Sequence, residues 1–379
     1  MRSYKADQNI EIPLDNHSSV HEFHLQGFLI STYQQVFFFL AIFLIYIFIL
    51  LGNALIAILV CISRQLQNPM YILLGNFSFT EICYTTVILP QTLEHILSAN
   101  KTISHTKCLL QLYFCSSFGS TECLLLSTMA YDRYLAICHP LHYSTVMRNS
   151  VCTCLSLLCW LTGLLGSLLP LLMVSKLVFC GPSEINHFFC ESLKLFELSC
   201  TDTSTSRLLL FFFASTIVLG SSAMIVLSYT AIIGTILKFS STIAKQKAFS
   251  TCAAHLLVVS LFYGTLIFMY IAPPAIESNE IQKSLSLLYT VFTPLLNPII
   301  YSLRNRDIHR ILGLKMVRVK LSLPGKLFSR KQLANVPLKE SGPCTISTRE
   351  VKQEAILTGD LRFKETELST FLIVKKRND

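Results

Sequence analysis

Three groups of side chains in this 379-residue chain could do chemistry, and none of them is hydrolytic. The first is the adjacent pair Asp132–Arg133, in the run Met129-Ala-Tyr-Asp-Arg-Tyr-Leu-Ala-Ile-Cys-His-Pro-Leu-His-Tyr143, where a long apolar segment gives way to a loop containing Pro140. Charges at the end of a membrane helix are costly to keep dry, so they mark the interface and a switch or partner site; snorkelling of Arg133 to the interface is the plainer alternative. The second group is Glu81 and Glu122, two acids deep inside apolar stretches. Glu122 precedes Arg133 by eleven residues, about 16 Å along a helix, which puts it near mid-membrane. Two facing acids do not both stay ionised without a cation, so either one is protonated or a sodium ion is shared. Asn53 and Asn297 could complete such a cluster. The same four residues could equally form a hydrogen-bond network with no ion. The third group is Cys108, Cys180, Cys190 and Cys200, at or beyond the edges of apolar stretches. Four cysteines allow three pairings, and spacing does not choose among them. With no nucleotide-binding loop, metal-ligand cluster or catalytic constellation, an enzyme is not expected.

Composition says what must position these groups. Hydrophobic residues make up 52% of the chain, charged residues 14%, and the mean hydropathy is +0.54. No Asp, Glu, Lys or Arg occurs in 25–63, 149–175, 208–237, 248–276 or 284–303, each long enough for the roughly 20 residues that cross a bilayer. The stretches 70–97 and 105–138 read the same apart from internal acids. Lipid offers no partner to an unpaired backbone group, so these are helices. The fold class expected is an all-α membrane protein, a seven-transmembrane helix bundle.

Orientation follows from the short loops. Arg64, Arg148, Lys238, Lys245, Lys247 and the cluster Arg304, Arg306, Arg310 lie on one side. Lys101, Lys107, Lys176, Lys194 and Lys283 lie on the other, diluted by Glu184, Glu191, Glu197, Asp202, Glu277 and Glu280. The expectation is therefore an N-terminus outside and a C-terminus inside, with the first span as anchor, since residues 1–24 hold no apolar core of a signal peptide. The chain divides into an extracellular N-terminus 1–34, a helical domain 35–304, an amphipathic juxtamembrane helix 305–320 and a long basic cytoplasmic tail 321–379 without fixed structure. From residue 305 onward there are sixteen Lys/Arg against eight Asp/Glu. A basic tail leaving a membrane helix is drawn to anionic inner-leaflet lipid, or is merely solvated. A chain embedded in lipid is not expected to bind nucleic acid. Asn16 begins a glycosylation sequon in the outer segment.

Ordered along the spans are Leu66-Gln-Asn-Pro-Met-Tyr71, Asn76-Phe-Ser-Phe-Thr-Glu81, the run 129–143, Ser228-Tyr229, Lys247-Ala-Phe-Ser-Thr-Cys-Ala-Ala-His255, Phe262-Tyr-Gly264 and Asn297-Pro-Ile-Ile-Tyr-Ser-Leu-Arg-Asn305. In that order they resemble the odorant (olfactory) receptors, a family of rhodopsin-like G-protein-coupled receptors, over residues 23–312. The tail beyond Asn305 is longer than is usual in that family. The resemblance implies disulfides Cys108–Cys190 and Cys180–Cys200. It implies a small volatile odorant as ligand and a stimulatory, olfactory-type heterotrimeric G protein as partner, raising cAMP at the plasma membrane, in olfactory neuron cilia. Receptors of this class hold a sodium ion where Glu81 and Glu122 stand, although most have aspartate at the position of Glu81. A rhodopsin-like receptor for an endogenous metabolite in non-olfactory tissue is the alternative; a transporter or channel would need repeats or pore rings that the sequence does not show.

A ligand pocket between helices falls on two stripes. Cys115, Phe118, Gly119 and Glu122 share one helical face, and Tyr263, Leu266, Ile267 and Tyr270 another. Stripes at this spacing are more often packing than pocket. The resemblance makes Cys115, Ser116, Gly119, Ser120, Phe213, Ile217, Tyr263, Leu266, Ile267 and Tyr270 the odorant-contacting set. Their mostly apolar character suits a weakly polar molecule. Asp132, Arg133, Tyr134, Tyr229, Lys247, Asn297 and Tyr301 form the G-protein switch, with Arg133 held by Asp132 at rest and released toward Tyr229 when the sixth helix moves.

Overall fold

The structure, a computed structural model, describes residues 22–28, 31–98, 100–180, 183–271, 279–304 and 308, and the side chains at 247, 251, 267–271, 279 and 302–304 also lie outside the description. Asn16, the tail 321–379 and nearly all of 305–320 therefore fall outside the described residues.

Long helices dominate. Strand β1 (Glu22–Leu25) precedes helix α1 (Thr32–Ile62), whose buried residues Ile42, Ile49, Asn53, Ile56, Leu59 and Val60 recur on one face. Much of the remainder of α1, including Val36, Phe37, Leu40, Leu44, Phe48 and Leu51, is exposed apolar surface, as a helix bathed in lipid requires. A short 3-10 turn, Arg64–Leu66, leads to α2 (Pro69–Leu97). The Asn68 side chain caps α2 by accepting from the Tyr71 N–H at 3.4 Å, and Pro69 occupies the first turn, where its missing donor costs nothing. Strand β2 (Thr102–Ser104) runs into α3 (His105–Cys138), the carrier of both Glu122 and Arg133.

The loop expected around Pro140 is instead a helix, α4 (Pro140–Val146), again with proline in the first turn. The fourth span is two pieces, α5 (Asn149–Gly166) and α6 (Leu168–Ser175). The break has a local cause: Pro170 has no N–H to offer the Gly166 carbonyl one turn back. Strand β3 (Glu184–Ile185) and α7 (Ser192–Glu197) lie between α6 and α8 (Ser204–Lys238). Next come α9 (Thr242–Ile271), α10 (Asn279–Leu287), a π-helical turn Leu288–Phe292 and α11 (Thr293–Arg304). Among the described residues six spans are long and apolar enough to cross a membrane, and α9, bent by 40° between Ser250 and Cys252, makes a seventh if taken as one span.

Small residues let the spans approach, as is usual where lipid removes the hydrophobic drive for helix association. A Cβ on Gly52 would lie 2.9 Å from the Pro298 ring, so α1 and α11 meet backbone to side chain there. A Cβ on Gly163 would lie 2.6 Å from the Ser117 carbonyl, which brings α5 against α3.

At the end of the bundle where β1 lies, β1 sits between β2, antiparallel, and β3, parallel. Phe23 and Leu25 point from β1 into a separate core with Ile103, Leu112, Val174, Ile185, Leu195 and Phe196. Cys108 and Cys190 are joined within it, and Cys180 is joined to Cys200. The segment before α1 is thus a built part of this cap.

Candidate functional site: a switch, a polar cluster and a stripe

At the far end of α3 from that cap, Arg133 lies against its neighbour. Its Nη2 donates to Asp132 Oδ2 at 2.8 Å and its Nε to the same oxygen at 3.2 Å. Asp132 is fully buried, and Arg133 keeps 12% of its side chain exposed. The other carboxylate oxygen, Oδ1, accepts from the Tyr143 hydroxyl at 2.8 Å. Helix α4 makes this possible by turning Tyr143 back toward α3. Burial, and then the adjacent carboxylate, raise the Tyr143 phenol above its ordinary range, so it stays a donor. Tyr229 donates to or accepts from His255 Nδ1 at 2.7 Å, with the two rings stacked. Tyr301 is buried, and its hydroxyl has no hydrogen-bond partner among the described residues. Tyr134 instead faces His139, at 2.9 Å. The side chain of Lys247 lies outside the described residues.

Deeper in the bundle, Asn53, Glu81, Glu122 and Asn297 are all buried. Asn297 Nδ2 donates to Glu81 Oε1. Asn53 Nδ2 donates to the carbonyls of Ile49 (3.0 Å) and Pro294 (3.2 Å). The second bond has a local cause: Pro298 cannot bond the Pro294 carbonyl one turn back, so that carbonyl needs an outside donor. Tyr289 donates to Glu122 Oε2 at 3.4 Å. One oxygen on each of Asn53, Glu81, Glu122 and Asn297 is buried without a partner among the described residues. Unpaired hard oxygen donors of this kind suit a hard cation.

The stripe residues occupy the same bundle. Tyr263 donates to Ser221 Oγ (2.6 Å) and to the Cys123 carbonyl (3.3 Å). Ser116 accepts from Ser167 at 3.1 Å. Ser120 and Leu266 are buried; Cys115, Gly119, Phe213 and Ile217 are half-buried. Phe213 lies against Gly166, where a Cβ would come within 2.8 Å of its ring. The side chains of Ile267 and Tyr270 lie outside the described residues. A small cleft of about 20 Å³ lies elsewhere, between Leu25, Phe28, Phe38, Thr92, His95 and Phe188.

Over the α3 end near the cap, Gln111 accepts from the Cys190 N–H (2.9 Å) and donates to the Val87 carbonyl (3.1 Å) and Gln91 (3.2 Å). His187 is buried, 3.2 Å from Ser286 and 3.9 Å from Glu191. Burial, with Lys283 and Lys194 adding, pushes the His187 imidazole down to about 3. Burial raises the Glu191 carboxyl to about 7, against the pull of Lys194 and with the help of Glu197. Lys283, also buried, donates to the Gly27 carbonyl (2.6 Å) and Glu280 (2.8 Å), tying α10 to the segment before α1.

Sequence reasoning assigned no role to Tyr143, Gln111, Ser221 or Tyr289. Tyr143 closes the run that opens with Met129, and an exposed-loop tyrosine near a buried aspartate was the available sign. Tyr289 had none, because the π turn breaks the helical spacing that a periodicity search follows.

Comparison with known proteins sets this arrangement in context. A sequence model described as olfactory receptor matches residues 42–319. The chain is 47% identical over 299 residues to olfactory receptor 11H6 of Homo sapiens, covering 78% of this chain and 91% of that one. It is 44% identical over 304 residues to olfactory receptor 6N1 of Homo sapiens (80% and 97%), and 40% identical over 310 residues to olfactory receptor 1496 of Rattus norvegicus (82% and 100%). The crystal structure of squid rhodopsin superposes with a TM-score of 0.59, covering 89% of this chain and 94% of that one, at 14% identity, which speaks to the fold.

Proposed function

The chain belongs to the olfactory receptor family, and from that premise we propose that it binds a small, volatile, weakly polar odorant inside the bundle and activates a stimulatory heterotrimeric G protein, raising cAMP. Members of this family are multi-pass membrane receptors, not enzymes, with an odorant as ligand and a G protein as partner. The observation that carries the finer reading is the Asp132 carboxylate held from two sides, by Arg133 and Tyr143, beside the stacked Tyr229–His255 pair. Such an arrangement is one packing of a two-state bundle, and a ligand acts by binding the other packing better. In the active packing Arg133 leaves Asp132 and turns toward Tyr229 and the G protein, as α9 moves outward about its bend. Lys247, Asn297 and Tyr301 belong to the same inner half and Tyr134 to its rim.

The odorant set is Cys115, Ser116, Gly119, Ser120, Phe213, Ile217, Tyr263, Leu266, Ile267 and Tyr270. In this reading the N-terminus is outside and carries a glycan at Asn16. The C-terminus is inside, its basic tail lies on anionic lipid, and the receptor works at the plasma membrane of olfactory cilia. Glu81 and Glu122, with Asn53 and Asn297, would hold a sodium ion through the oxygens that lack partners. The ion would supply positive charge that stabilises the resting packing.

The test is a panel of volatile odorants applied to cells expressing the full chain, with cAMP read out and surface density measured by antibody. A saturable response to a neutral volatile, lost in Arg133→Ala at equal surface density, is the expected result. Undiminished signalling by Arg133→Ala, or agonism restricted to fatty acids and insensitive to every substitution in the odorant set, would overturn the reading.

A further inference from the structure

Tyr289 stands where the stripe meets the polar cluster. It lies on the π turn Leu288–Phe292, which sets its side chain off the helical face that α10 and α11 would otherwise share. Its hydroxyl donates to Glu122 Oε2 at 3.4 Å. The same oxygen is 3.5 Å from where a Cβ on Gly119 would sit, an ordinary contact distance. Gly119 and Glu122 are one turn apart on α3, one in the odorant set and the other in the acid cluster. The ring is packed edge-on to Tyr84 of α2, at 5.6 Å, and to Phe262 of α9, at 5.5 Å. Phe262 in turn packs against the ring of Tyr263. One buried side chain therefore touches α2, α3 and α9 from the seventh span.

We propose that Tyr289 is a positioning residue that couples ligand occupancy to the polar cluster: a ligand seated against Gly119 meets the Tyr289 hydroxyl, and the Tyr289–Glu122 hydrogen bond is made or broken accordingly. This rests on the odorant reading of the stripe and names the contact through which that stripe acts. Gly119 leaves the hydroxyl reachable, since the glycine puts no side chain between it and the stripe. A ligand bearing one carbonyl or hydroxyl group on an apolar body is the chemistry that could take this hydrogen bond from Glu122. A hydrocarbon of the same shape could only press on the ring. The Glu122 oxygen that Tyr289 does not reach is already without a partner, so losing the phenol leaves the carboxyl with no hydrogen bond among the described residues.

The experiment compares wild type, Tyr289→Phe, Glu122→Met and the double variant in cells. It reads G-protein dissociation with and without odorant, normalised to surface density. Tyr289→Phe keeps the ring and its packing and removes only the hydroxyl. A single hydrogen bond of ordinary strength corresponds to a change of about two- to tenfold. The expected result is higher basal dissociation and an EC50 shift of that size for a carbonyl-bearing odorant, with a smaller shift for its hydrocarbon analogue. In the Glu122→Met background, which has no acceptor for the phenol, the same substitution should do much less, because the hydroxyl acts through the carboxyl group. Equal effects in the two backgrounds, or no change in basal signal and EC50 in Tyr289→Phe alone, would overturn the proposal. If Glu122→Met does not reach the surface, Glu122→Ala takes its place in the cycle. A wild type silent to every volatile would count against the odorant reading by itself, while the ligand-free signal would still decide the Tyr289–Glu122 link.

Discussion

Tyr143 donates to Oδ1 of Asp132 at 2.8 Å, while Arg133 takes Oδ2 of the same carboxylate at the same distance. The two residues come from different helices, α4 and α3, and the fully buried aspartate is satisfied only when both are in place. Helix α4 thereby helps hold Arg133, and moving α4 would loosen the arginine without touching it.

Removing that hydroxyl should raise resting activity. Tyr143→Phe deletes one hydrogen bond to a charged group, a loss of about 1.5–3 kcal/mol from whichever packing holds it. Basal G-protein dissociation per surface receptor should rise, with odorant still able to drive a further increase. Basal activity equal to wild type would mean the Tyr143 contact does not restrain Arg133.

The closeness of α1 and α11 makes a second prediction. In Gly52→Ala the new methyl meets the rigid Pro298 ring at 2.9 Å, and overpacking of this kind costs about 1–3 kcal/mol. Gly234→Ala, in α8 with nothing within 4 Å of its Cβ, should be neutral or stabilising by about 0.5–1 kcal/mol, since alanine has less freedom to lose. Melting of the detergent-purified variants checks both: Gly52→Ala should melt below wild type and Gly234→Ala at or above it.

The cap should depend on its long-range crosslink. Cys108 and Cys190 are 82 residues apart in sequence, and removing such a bridge costs about 2–5 kcal/mol. Cys108→Ser should lower surface density and melting temperature. Gln111→Ala, which leaves the bridge but strips the Cys190 N–H of its partner, should do so by less. The order of the two melting temperatures is the measurement.

Glu191 should make the cap sensitive to rising pH. Its folded-state value, about 7, lies above the ordinary 4.5, so between those values the folded chain holds a proton that the unfolded chain has lost. Stability from this group is present below about 4.5 and is lost as pH rises through about 7. His187 runs the other way. Its value of about 3 against an ordinary 6.5 makes acidification through 6.5 destabilising. The difference between wild type and Glu191→Gln isolates the carboxyl: between pH 5.5 and 8 wild type should lose more melting temperature than the variant. Parallel curves would show that Glu191 is ionised throughout.

Much of this was legible along the chain because lipid leaves so few options. An apolar stretch of some twenty residues with few or no charges has to be a helix, and seven of them have to be a bundle. The acids Glu81 and Glu122 stood out as the exceptions inside such stretches, and Arg133 as the charge at the end of one. The short helix at Pro140 reads as a loop in sequence, because seven residues carry little periodicity and proline in a first turn looks like any other breaker. Tyr289 and Ser221 gave no sign, since their partners are 167 and 42 residues away in sequence.

The sequence by itself determined the class of molecule, the spans and the residues around which a switch can be built, because each depends on local composition and on the cost of polar groups in lipid. Tertiary structure alone decided the pairings: Tyr143 rather than Tyr134 on Asp132, Asn53 on the carbonyl that Pro298 leaves unpaired, Tyr289 between Gly119 and Glu122, and β1 between β2 and β3. A hydrogen bond across the bundle depends on where two helices cross and how each is rotated. Bends at Pro170 and in α9 and a single π turn set those rotations, and no periodicity in the chain records them.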